Sequence, residues 1–250
     1  MIFNEIDQLI PNNLYKFSKV ENVIKILKNK SLWFSSPKDF NDPYDCNINL
    51  IDFTPTEKDI IKLINEKVSG NRALRREEIK KNKRNPFRIT SQMAEQFQEI
   101  FYNCGICCFS EVNDDVLLWS HYAENHKGIC LKFKSTISDL PTMTQKVQYK
   151  AIHEKIRYFN DDDSYSIYHL IFTKSENWSY EKEIRAFIMI YNGNVEFDIE
   201  NLTEIIFGCK TDESTIIEIR ELVKNLGYKH ISFKKVVQSK SSYKIKITKI

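Results

Sequence analysis

The chain has 250 residues, 42% hydrophobic and 28% charged, which provides enough apolar surface for a buried core and excludes a disordered polyelectrolyte. Six glycines and six prolines argue against a loop-built or repeat architecture, while 16 Phe and 12 Tyr, many in strand-like runs, favour a β-rich or mixed fold. A formal net charge of +3 is too small to imply a nucleic-acid binder, and no apolar run reaches the roughly 20 residues that span a bilayer.

The N-terminus lacks a charged-then-apolar signal pattern, so a soluble, cytoplasmic protein with no membrane partner and reduced cysteines is expected. Leu14 to Phe17 form the first strand candidate. Ser18, with Glu21 three residues on, has capping-box spacing for a helix whose apolar face carries Val20, Val23, Ile24 and Leu27. Leu32 to Ser35 return as a strand. Residues 36–45, dense in turn formers and acids, predict an ordered loop.

Helical periodicity covers 56–68 and about 90–102. The charged stretch between them, 69–88, reads as a mobile helical insertion. Its basic run, Arg72 to Arg84, is broken by Glu77 and Glu78 and suits a solvated face better than an RNA contact. Strands follow at Ile106 to Ser110 and Gly128 to Phe133, with a short helix over Leu117 to Ala123 between them. Another strand begins at Val147, and Tyr165 to Phe172 reads as a helix. The tail, about 204–250, is a β-α-β element in which Asp212 to Leu226 form a helix closed by Gly227. No composition shift divides the chain. The expectation is one α+β domain over 1–250, with a central antiparallel or mixed sheet flanked by helices.

The most informative stretch is Trp178-Ser179-Tyr180-Glu181-Lys182-Glu183-Ile184-Arg185, directly before an apolar run ending at Tyr191. If extended, Glu181 and Glu183 share a face, and two like charges there call for a cation, a hydroxyl-bearing ligand or open water. A solvated strand entrance with Arg185 as an ion-pair partner is the plainer alternative. In the first strand, Tyr15 and Lys16 are candidate ligand contacts, although Tyr15 and Phe17 suit a core face with Lys16 pointing the other way. Asn41 and Asp42 read either as an Asx turn or as polar contacts over a cleft. Trp119, His121 and Tyr122 fall within one turn and suit either packing or a wall that stacks on a flat ring. Cys104-Gly105-Ile106-Cys107-Cys108 lacks a second ligand pair, so no metal is expected.

Four blocks in this order resemble a known family: Tyr15-Lys16-Phe17, Phe40-Asn41-Asp42-Pro43, Cys108-Phe109-Ser110-Glu111 running on to Trp119-Ser120-His121-Tyr122-Ala123, and Trp178 to Arg185. That family is the bacterial domain of unknown function 2971, with the likeness extending from Leu14 to about Ile247; it implies no activity. A second resemblance, to the ADP-ribosyltransferase scaffold, implies NAD as cofactor. In that scheme Lys16 takes the place of the first-strand His or Arg and holds diphosphate, and Ser110 takes the place of the middle Ser. Glu183 is then the catalytic carboxylate, and Glu181 orients or deprotonates the acceptor. The departure at Lys16 matters, because a point charge lacks the fork of Arg or the ring of His. The function so implied is nucleotide handling, most specifically mono-ADP-ribosyl transfer from NAD to a protein or nucleic-acid acceptor, in a toxin or phage-defence setting. The alternative is a non-catalytic module that binds a small-molecule nucleotide or a nucleic-acid end.

Overall fold

A computed structural model describes residues 10–135, 143–153, 155–159 and 163–250. The chain opens with strand β1 (Asn13–Ser18), helix α1 (Val20–Asn29) and strand β2 (Ser31–Phe34), the expected compact unit. Ser18 is not the cap. It remains in β1, paired with Ile129, so Lys19 takes the N-cap position without a side-chain hydrogen bond. Lys30 closes the helix in the left-handed region (φ 48°), and Val23, Ile26 and Leu27 form the buried stripe.

The loop that follows contains short 3-10 turns at Pro37–Asp39 and Ile48–Leu50, then β3 (Ile51–Asp52). A helical lobe comes next, of α2 (Glu57–Lys67), α3 (Arg72–Arg84) and α4 (Phe87–Tyr102). Thr56 and Asp59 form a reciprocal capping box at the start of α2, and Asn71 caps α3. Of the expected insertion, 72–84 is this α3 helix. Asn82 is its only buried residue, and Lys83 reaches Glu57 of α2 at 2.6 Å.

The remaining elements are β4 (Gly105–Ser110), α5 (Val116–Tyr122), β5 (Ile129–Lys134), β6 (Met143–Lys146), β7 (Gln148–Lys150), β8 (Ile156–Arg157), α6 (Asp163–Phe172) and β9 (Thr173–Ser175). After a 3-10 segment, Glu176–Glu181, come β10 (Glu183–Ile188), β11 (Gly193–Glu196), β12 (Leu202–Phe207), α7 (Glu213–Asn225), β13 (Ser232–Gln238) and β14 (Ile245–Lys249). Eight strands build one sheet in the order β14-β13-β12-β5-β1-β4-β10-β6. Within it only β12 and β13, joined through α7, run parallel, so the sheet is mixed.

Strand alternation sorts the sheet into two faces. One carries Leu14, Leu131, Ile205 and Phe207 and packs with residues of α1 and α7, such as Leu27 and Ile219. The other is shared. Trp119 and Ala123, at the α5 end, pack with Cys130, Ile206 and Val236, while the helical lobe with α6 gathers around Ile106 and Phe187 of β4 and β10. The candidate site lies between those two covers. The result is one α+β domain with a large mixed central sheet, as the sequence implies.

Most α3 side chains are exposed, so few buried contacts oppose its opening. Limited proteolysis is expected to cut within 69–88 before any other described internal segment; first cleavage elsewhere would contradict that assignment.

Candidate functional site

Register places the site. Glu183 of β10 pairs with Ser110 of β4, and Ser110 pairs with Tyr15 of β1, so these three share one face on adjacent strands. The strands holding Lys16, Ser110 and Glu183 therefore do converge. The Lys16 side chain does not join them. Alternation sends it to the opposite face, where its ammonium donates to the Cys108 carbonyl at 3.2 Å and lies 5.4 Å from the Phe109 ring centre. Ser110 is present but occupied: its hydroxyl donates to the Glu181 carbonyl at 2.6 Å and accepts from the Val112 amide at 3.1 Å.

Glu181 and Glu183 meet, but not through the pleat of one strand. Glu181 ends the 3-10 segment, Lys182 turns through the left-handed region (φ 43°), and Glu183 begins β10. Both carboxylates then reach one cation: Lys174 Nζ lies 2.6 Å from Glu181 Oε2 and 3.2 Å from Glu183 Oε2. The cation that the paired carboxylates call for is thus present twice, as Lys174 and Arg185.

Arg185 has no solvent exposure, yet all five of its donors are used. Nε and Nη2 reach the two Glu183 oxygens at 2.8 and 3.0 Å. Nη1 and Nη2 hold Asp45 bidentately at 2.9 and 2.6 Å, and the remaining Nη1 donor reaches the Ile171 carbonyl at 2.6 Å. The Phe40 ring covers the guanidinium at 5.1 Å. Asp45, Lys174, Glu181, Glu183 and Arg185 are all buried, three carboxylates against two cations, and one carboxylate is left in excess when all are ionised.

The protonation preferences show which one. Burial opposes ionisation of Glu183, but Arg185 and then Lys174 outweigh it and hold the carboxyl down at about 2. Burial pushes Glu181 up, and the Glu183 charge adds to that push, so the pull of Lys174 does not restore its ordinary value. Tyr122 donates its hydroxyl to Glu181 Oε1 at 2.6 Å. Burial and that carboxylate raise the Tyr122 phenol, which therefore stays protonated as a donor. Glu181 is the poised group, and Glu183 is the one fixed in ion pairs.

The other candidates divide. Trp119 is fully buried, donates Nε1–H to the Asn113 carbonyl at 2.7 Å and meets Phe17 edge-on at 5.1 Å, so it is core and not a stacking wall. His121 is exposed beside Tyr180, with ring centres 6.4 Å apart. Asn41 lines a small cleft of about 120 Å³ with Tyr15, Phe17, Phe40, Tyr122, Glu181 and Glu183. Asp42 forms the Asx turn, accepting from the Tyr44 amide at 2.9 Å, and faces a second cleft of about 260 Å³ beside His153, His169 and Trp178. Lys174 lines both clefts, and its ammonium lies 5.0 Å from the Trp178 ring centre. Sequence reasoning missed Asp45 and Lys174 as site residues, along with Tyr149, whose hydroxyl accepts from the Glu183 amide at 2.8 Å. Among the described residues no group of His, Cys, Asp and Glu has the arrangement of a metal site, no helix is long and apolar enough to cross a membrane, and all six cysteines are unbridged.

Folding lowers the Glu183 carboxyl from the ordinary 4.5 to about 2, so its ion pairs contribute stability above about pH 4.5 that is lost as pH falls toward 2. Glu181, raised by folding, acts with the opposite sign: it opposes the fold at neutral pH and is relieved on acidification. Denaturant unfolding across pH should show Glu183→Gln costing about 3–5 kcal/mol near neutrality and losing that acid-side dependence. Glu181→Gln should cost little or stabilise. Equal losses from both variants would contradict these assignments.

Residues 118–186 match the family described as "Protein of unknown function (DUF2971)". The matched stretch is narrower than the sequence blocks suggest, running from Leu118 in α5 to Ala186 in β10 and leaving out Lys16, Asn41, Asp45 and Ser110. No curated protein and no solved structure matches the chain, so nothing there supports an ADP-ribosyltransferase scaffold. Over the residues that supply Lys174, Glu181, Glu183 and Arg185, the chain resembles the family of unknown function, DUF2971.

Proposed function

We propose that the protein is a nucleotide-handling enzyme, in its most specific form one that transfers ADP-ribose from NAD to an acceptor. The observation that carries this reading is a buried charge cluster with one carboxylate in excess, at the floor of an aromatic-walled cleft, in which Glu181 is the member with the raised pKa. When the N-glycosidic bond of NAD breaks, its electron pair leaves on nicotinamide and positive charge develops on the ribose. A fixed excess of negative charge stabilises that state as it forms. The acceptor's nucleophilic atom bonds to the ribose carbon and its proton passes to Glu181, a carboxylate shifted toward neutrality as a general base requires. Tyr15, Phe17 and Phe40 supply flat walls for the departing ring, and Asn41 supplies a polar edge. Lys174, shared with the larger cleft that also holds Lys150 and His153, takes the diphosphate position that Lys16 cannot reach. Glu183 acts through Lys174 and Arg185 as a positioning residue.

A second reading, a module that binds a nucleotide without turnover, draws on a different observation: the Ser110 hydroxyl and both Glu183 oxygens are already occupied within the protein. Labelled NAD incubated with the purified protein and host lysate separates the two readings. Transfer predicts label incorporation that falls at least about 100-fold in Glu181→Gln while thermal stability is kept. No NAD consumption by the wild-type protein, or full activity in Glu181→Gln, would overturn the enzymatic reading. A binder would retain its nucleotide affinity in that variant.

A further inference from the structure

The modest net charge conceals a strong asymmetry. From Leu222 to Ile250 the chain carries eight lysines and no Asp or Glu. These residues build the end of α7 and strands β13 and β14, the far edge of the sheet whose middle holds the candidate site.

Register connects the two regions. The row that begins Glu183–Ser110–Tyr15 continues on the same face to Lys132 of β5 and Glu204 of β12, each a direct pairing partner of the last. Glu204 is held between Lys132 Nζ at 3.0 Å and Lys234 Nζ at 2.8 Å, and Lys234 pairs in register with Lys249 of β14. Lys134 lies two residues beyond Lys132 and so shares its face. Among the described residues of this part of the row, four lysines face Glu204, which two of them already neutralise, and Asp114 lies near Tyr15. The row is open to solvent: the side chains of Lys132 and Lys234 are 18% and 32% exposed, and Lys134 and Lys249 are exposed outright.

Lysines on an edge strand often serve only to block pairing with another sheet. That explains lysines on β14. It does not explain Lys132 and Lys134 on β5 or Lys234 on β13, which are interior strands.

We infer that this lysine track on the sheet face binds a single-stranded nucleic acid and leads it toward the Tyr15 side of the candidate site. A sheet face carrying cations, with a half-exposed aromatic at the inner end, suits a strand whose phosphates follow the lysines and whose terminal base meets a ring. A duplex would call for an element that enters a groove, and none of the strands on this face projects as one. That the bound strand also serves as the acceptor rests on the proposed transfer activity; the binding itself does not.

The test is fluorescence anisotropy of the full chain with a dye-labelled single-stranded oligonucleotide of about 12 nucleotides, without NAD, over a salt series. The logarithm of affinity should fall linearly with that of salt concentration, and Lys134→Glu/Lys249→Glu should weaken binding about tenfold or more. The same charge change on α3, Arg76→Glu/Lys80→Glu, should leave it within about twofold, since those side chains are exposed on the helical lobe, which packs around Ile106 of β4 and Phe187 of β10. Lys134→Gln/Lys249→Gln should give a smaller loss in the same direction, which guards against misfolding of the reversed variant. No binding at low salt, or equal losses from the track and α3 pairs, would overturn the inference. Polyglutamate competing as well as an oligonucleotide of equal charge would also overturn it, by making the partner an acidic protein. Binding without NAD turnover would leave the track standing and remove the transferase; turnover without binding would do the reverse.

Discussion

The guanidinium of Arg185, sealed in the sheet face, is the constraint on which the site depends. Placing an unpaired cation there would be costly, and the fold avoids that by delivering an acceptor to every one of its donors. Glu183 comes from the same strand, Asp45 from the loop after β2, and the Ile171 carbonyl from the end of α6. The partners come from three different elements, Asp45 from 140 residues away, so satisfying one side chain fixes a strand, a loop and a helix relative to each other. Replacing such a cluster with apolar residues of equal volume is often no worse for stability, which makes its retention an argument for specificity of arrangement. Here the arrangement puts Lys174 between two carboxylates and leaves Glu181 as the member that ionises least readily.

The same cluster links structure to chemistry. A carboxylate in water stabilises a nearby cation weakly, whereas one held in a low-dielectric wall by Tyr122 and Lys174 acts without reorganisation. The cleft above it is small, about 120 Å³, and Tyr15, Phe17, Phe40 and Tyr122 line it. Beyond Tyr15 the row carries Lys132, a Glu204 neutralised by Lys132 and Lys234, and then Lys249, so it turns basic toward the β14 edge. An anionic chain would therefore keep its phosphates over the lysines, and the carboxylates at the Glu183 end would exclude them. Net charge concealed this asymmetry, because an acidic remainder offsets the lysines of the C-terminal edge.

Much of this was legible in the sequence. Apolar and aromatic runs located β1, β4 and β10, and of the cation, hydroxyl-bearing ligand or open water that Glu181 and Glu183 called for, the structure supplies cations. Alternation also put Lys16 on the face away from Tyr15; the scaffold resemblance pulled it into the site, and the structure returns it to the other face. Trp119 was as consistent with a pocket wall as with core until its burial was known. What the sequence could not disclose has physical causes. Asp45 lies in a turn-rich loop whose acids look alike, and only tertiary packing singles out the one that meets Arg185. The left-handed turn at Lys182 occurs at a residue type that rarely adopts it, so no local signal marks the kink that brings Glu181 over Lys174. The short strands β6 and β11 have no apolar alternation long enough to read.

A double-mutant cycle between Asp45→Asn and Glu183→Gln tests the central claim most directly, since the two carboxylates touch the same guanidinium and not each other's strand. If Arg185 is the hub, either single loss leaves it one carboxylate partner and the double variant leaves it none, so the two losses together cost more than their sum. The account predicts a coupling of at least about 2 kcal/mol in unfolding free energy. Losses that add to within about 0.5 kcal/mol would show two independent contacts and contradict it.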